Sequence, residues 1–154
     1  MSWVKTKMKK FLIILITGIL WCNTANAGPI FLVNCKSDFW DHPFWSVFLD
    51  LQEKKGGELV RWTNGSEWRN VIYITSIKGD VVHGYSIPAM MIDEYVFNLK
   101  DNSFTRVALT GTATPEQRKR IPKTPEFKEA MRISDFIKDI THTPDKQKCE
   151  RRKP

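Results

Sequence analysis

Three histidines, seventeen carboxylates and three cysteines are the side chains of this 154-residue chain that could carry acid–base, metal or thiol chemistry. None of them stands at the spacing such chemistry needs. His42 falls in an aromatic loop, His83 in an alternating strand and His142 in a polar tail, with no metal-ligand spacing between any two. Asp41-His42 supplies two potential ligands where a metal site asks for more, so it reads as surface. The chain has no Gly-rich phosphate loop, no C-x-x-C, no G-x-S-x-G and no H-E-x-x-H. Asp50 is a carboxylate inside the apolar run Phe48-Leu49-Asp50-Leu51, and alternation turns it toward solvent. These residues imply no catalytic group, no metal and no cofactor.

The chemistry left is that of contact. Phe39-Trp40-Asp41-His42-Pro43-Phe44-Trp45 places four large aromatics in seven residues, and Trp62 and Trp68 follow. Rigid amphipathic rings fill small β-cores, and they also dominate binding hot spots. One strand cannot turn both Trp40 and Trp45 inward across Pro43, because proline fixes its φ and breaks the ladder. Phe39, Trp40, Asp41, His42 and Phe44 are therefore the expected binding residues, with Trp45 in the core.

Positioning begins with an address. Lys5, Lys7, Lys9 and Lys10 precede an apolar run that starts at Phe11 and ends near Trp21, and Ala25-Asn26-Ala27 is a small-x-small processing site. The run is too short to span a bilayer, which takes roughly 20 apolar residues. Residues 1–27 thus read as a signal peptide with the cut before Gly28, leaving no transmembrane segment in the mature chain and a periplasmic or secreted destination. Removing the four lysines lowers the formal charge from +7 to +3. Cys22 leaves with the signal, and an even pair, Cys35 and Cys149, remains; in an exported chain that favours a disulfide tying the two ends together.

From 28 to 112 the apolar residues alternate, as in half-buried antiparallel strands. Trp45, Val47, Leu49 and Leu51 share one face. The clearest hairpin runs 71–77 and 81–87 around Gly79, which supplies the positive φ of a tight turn. Asn64-Gly65-Ser66 is a turn that also matches an N-glycosylation sequon. Six to seven short consecutive strands predict an up-and-down meander or a partly open barrel. Residues 113–123 read as a basic linker, and 124–141 as an amphipathic helix begun by Thr124-Pro125-Glu126. Residues 142–154 read as a charged tail, with 145–154 mobile unless Cys149 holds them. The fold class expected is mainly β with one C-terminal helix.

Taken together, Cys35, the strand 47–51, Trp62, the 71–87 hairpin, the segment from Tyr95 to Phe104 and Cys149 resemble small exported proteobacterial proteins in which a β-meander is bracketed by two cysteines. That resemblance implies a fold and a compartment and no activity. The function expected is a non-enzymatic exported binding module that meets an envelope or secreted partner, a protein, a glycan or a lipid, through the aromatic loop. The alternative is a small secreted hydrolase-type enzyme whose polar groups converge only in three dimensions; a cleft with converging carboxylates and histidine would favour it. Seven acidic residues mixed into the basic C-terminal third argue against nucleic acid.

Overall fold

A computed structural model of the chain describes residues 28–38, 44–89, 91–109, 113–137 and 144–152. The alternating segments form β1 (Ile30–Ser37), β2 (Phe44–Asp50), β3 (Lys55–Arg61), β4 (Glu67–Lys78), β5 (Val81–Ser86), β6 (Ile92–Asn98) and β7 (Ser103–Leu109). Two helices follow, α1 (Pro115–Arg120) and α2 (Pro125–Ser134), and then β8 (Asp145–Arg152). Each strand pairs antiparallel with the next, and β8 pairs with both β7 and β1. The antiparallel meander is as expected. The six-to-seven-stranded, partly open sheet is not, because the sheet closes into a barrel of eight strands.

The strand that closes it is the segment read as a charged tail. In Asp145-Lys146-Gln147-Lys148-Cys149-Glu150-Arg151-Arg152 only Gln147 and Cys149 are buried, so no apolar alternation betrays a strand. Its backbone gains two neighbouring strands, and Cys149 is bonded to Cys35 of β1 across a sequence separation of 114. Closure satisfies edges that an open meander would expose.

The barrel interior holds the main core, with Leu32, Trp45, Val47, Leu49, Ile72, Val82, Phe97 and Phe104 all turned inward. Trp45 is 3% exposed, as its alternation predicts. The β4–β5 hairpin turns at Gly79, whose φ is 58°.

A second cluster lies outside the barrel. Tyr85, Ile92 and Leu109 face outward from β5, β6 and β7 and are covered by Ala113, Ile121, Phe127 and Ala130. The stretch read as a linker therefore contains α1, closed at its start by a capping box between Thr114 and Gln117. The longer helix ends earlier than its apolar spacing suggested. Asp135 caps α2, and the amides of Phe136 and Ile137 bond to carbonyls three residues back, a tightened last turn. Arg118 of α1 pins that cap through a 2.7 Å ion pair with Asp135. Among the described residues no helix is long and apolar enough to cross a membrane.

Candidate functional site

Two places in the barrel gather functional side chains, one inside the wall and one outside. The inner one lies toward the end where β1 stops and β2 begins. Glu58 of β3 is 2% exposed and accepts hydrogen bonds from Trp45 Nε1 at 2.9 Å and from the Tyr95 hydroxyl at 2.7 Å. Arg106 of β7 donates to Asp93 at 2.6 Å and stands 3.7 Å from Glu58. The Arg106 guanidinium lies over the Trp68 ring, 4.7 Å from its centroid, and Asn70 and Ser86 complete the ring of polar groups around Tyr95.

Burial governs the titration of this cluster. Desolvation pushes the Glu58 carboxyl above its usual range, against the pull of Arg106 and of its hydrogen bonds to Tyr95 and Trp45. Desolvation also raises the Tyr95 phenol well above normal, and the nearby Glu58 adds to the shift. Burial disfavours the charge on Arg106, but Tyr95, Glu58 and Asp93 outweigh it and hold the guanidinium protonated.

Carboxylates do converge here, as an acid–base site would require, but among the described residues no histidine joins them. Each named side chain of the cluster is held by another: Glu58 by Trp45 and Tyr95, Asp93 by Arg106, Asn70 by Ser86. That is how a buried ion pair is kept satisfied in a packed barrel. An eight-stranded barrel has an interior just wide enough for side chains to fill, and here polar ones complete the filling.

The outer place is a surface depression of about 570 Å³ on the wall formed by β8, β1, β2 and β3. Val33, Phe44 and Leu59 give it an apolar floor, and Arg61, Arg151 and Arg152 border it. A bulge in β1 shifts its register against β8 between Val33 and Lys36, and Asn34 takes a positive φ of 52° there. Its amide then reaches Glu150 at 3.0 Å. Arg61 and Arg69 share Glu67, whose carboxyl their hydrogen bonds hold below the usual range. Among the described residues Arg151 and Arg152 form no ion pair.

Phe44 is the member of the expected binding set that the structure describes; it is 59% exposed and lines the depression. Phe39, Trp40, Asp41 and His42 lie outside the described residues, as does His142. Their neighbours Asp38 and Phe44 stand at the barrel end nearest the inner cluster. Asp50 is a turn residue, its Oδ1 accepting from the amides of Gln52 and Glu53 at 3.1 and 3.0 Å. Asn64 likewise closes the β3–β4 turn by accepting from the Ser66 amide at 2.9 Å. His83 sits on β5, and burial lowers its pKa. Among the described residues no three His, Cys, Asp or Glu side chains gather as a metal site.

Sequence reasoning missed Glu58, Asp93 and Arg106. The signal was parity. Glu58 alternates with Gly56 and Val60, Asp93 with Tyr95 and Phe97, and Arg106 with Phe104, so each shares the inward face of its strand. Comparison of the chain with protein-family models, characterised sequences and solved structures returns no match.

Proposed function

We propose that this barrel is a non-enzymatic binding module, exported to the periplasm or beyond, that meets its partner with the aromatic residues around the start of β2. The observation that supports it best is Phe44, a ring more than half exposed beside a depression bordered by three arginines. Large apolar groups concentrated on one patch and rimmed by charge are what interaction surfaces present. Cys35–Cys149 belongs to the chemistry of an oxidising compartment, which is the compartment a signal peptide at 1–27 would lead to.

The hydrolase-type reading draws support from the convergence of Glu58 and Asp93 on Arg106. It is the weaker of the two, because those groups are spent on one another within the filled interior. The aromatic set remains Phe39, Trp40, Asp41, His42 and Phe44. Trp40→Ala and Phe44→Ala should each change stability by less than about 1 kcal/mol, as at ordinary surface positions, while weakening capture of a partner from an envelope or culture extract by about 2 kcal/mol. Retention at parental levels by both variants defeats the proposal.

A further inference from the structure

The outer wall opposite the helices carries rings and cations in register. Phe31 of β1 lies directly beside Phe48 of β2 and beside Arg152 of β8. Phe48 in turn faces Gly57 of β3, where any Cβ would collide with its ring. The bare glycine lets that ring lie flat on the wall. Phe31 and Phe48 are 39% and 43% exposed, and Phe44 stands above them at the edge of the depression.

We propose that this wall docks on an anionic lipid surface, with the Phe31, Phe44 and Phe48 rings entering the headgroup region and Arg151 and Arg152 pairing with lipid phosphates. The inference rests on the binding-module reading and names its partner class. Charge complementarity is the first reason. Of the three arginines that line the depression, Arg61 is paired with Glu67 while Arg151 and Arg152 form no ion pair among the described residues, and the one acid of the lining, Glu150, is already engaged by Asn34. Guanidinium is the group best suited to phosphate, through forked hydrogen bonds.

Shape is the second reason. A barrel wall is convex, and rings that project from it fit a surface able to deform around them, whereas a folded protein would need a matching hollow. Closure is the third. Every strand of the barrel has two strand neighbours, so an extended peptide finds no edge on which to add itself. Rings that enter the headgroup region and cations that pair with phosphate add buried apolar area to electrostatic attraction, the two contributions that set binding at a membrane surface.

The test uses the chain from Gly28 onward, which contains all eight strands, so that the apolar leader does not bind lipid itself. It is sedimented with vesicles of phosphatidylcholine alone and of phosphatidylcholine mixed with phosphatidylglycerol. Binding is expected to the mixed vesicles and to fall steeply with added salt. The double variant Arg151→Glu with Arg152→Glu should weaken it by roughly 30-fold or more, the loss of two cations at about 1 kcal/mol each. Phe31→Ser with Phe48→Ser should weaken it too, with folding checked by a cooperative melt. Equal binding to both vesicles, or parental binding by the arginine variant, overturns the inference. If a protein or glycan is captured through Phe44 while vesicles are ignored, the lipid assignment falls and the binding module stands. If Trp40→Ala and Phe44→Ala both also capture partners at the parental level, both fall.

Discussion

The two halves of the barrel's outer wall are built from the same alternation and finished differently. On β5, β6 and β7 the outward apolar residues Tyr85, Ile92 and Leu109 are sealed under the helices, where Phe127 is 1% exposed and packs edge-on against Tyr73 at 5.5 Å. Even the polar groups there are tied in, with Tyr85 donating to Glu94 at 2.7 Å and Arg120 reaching the same carboxylate at 3.0 Å. On β8, β1 and β2 no helix among the described residues lies over Phe31, Phe44 and Phe48; Arg152 lies beside Phe31, and arginines line the depression with Phe44. Tyr85, Ile92 and Leu109 are thus used for stability on one half, while Phe31, Phe44 and Phe48 are left partly in water on the other. The second wall is the one on which the proposed contact surface lies.

The largest expected effect breaks the covered half. Phe127→Ala should cost about 3–5 kcal/mol in urea unfolding, whereas Phe48→Ala, removing a ring of the same size from the bare half, should cost less than about 1 kcal/mol. Equal losses would abolish the distinction between the halves. Next is the disulfide, which closes the bare half at the β8–β1 seam where no helix buttresses it. Replacing Cys35 and Cys149 together with serine should lower the unfolding free energy by about 2–5 kcal/mol, and alkylation of the unreduced protein should find neither thiol free.

The smallest effect contrasts the two sides of one wall. Glu58 points inward with a raised pKa and Glu67 outward with a lowered one. Above the usual carboxyl range, the folded protein holds a proton on Glu58 that the unfolded chain has released. Its contribution is therefore complete below that range and is lost as pH rises toward the raised value, with a slope of at most about 1.4 kcal/mol per pH unit. Glu67 acts in the opposite sense, favouring the fold above the usual range and ceasing to do so as pH falls. Urea titrations at several pH values should show Glu58→Gln flattening the decline that follows rising pH above the usual carboxyl range and Glu67→Gln leaving it in place.

Alternation made seven strands legible, along with Trp45 in the core and the turn at Gly79. It failed where a strand has too few inward apolar residues to show a period. Only Gln147 and Cys149 of β8 are buried, and their neighbours are lysines, arginines and acids that composition assigns to a solvated tail. The same rule, followed through polar positions, would have put Glu58, Asp93 and Arg106 inside, because parity does not depend on polarity. The linker between 113 and 123 hid a helix for a related reason, since α1 buries none of its own residues and is held by its capping box, while the flanking Ala113 and Ile121 do the packing. Of the aromatic cluster, Trp45 and Phe44 part company as expected, one inward and one outward.

Closure by the last strand also sets an order of events for a chain made from its N-terminus. β1 can pair with β2 within some twenty residues of synthesis, but its other edge stays unsatisfied until β8 follows, and Cys35 waits through 114 residues for Cys149. Long-separated contacts of this kind are paid for in loop entropy before they are rewarded, and they slow folding. Until that moment β1 and β7 are both open edges, templates for pairing with another copy. Losing residues 145–154 would therefore leave two adhesive edges where the closed barrel has none.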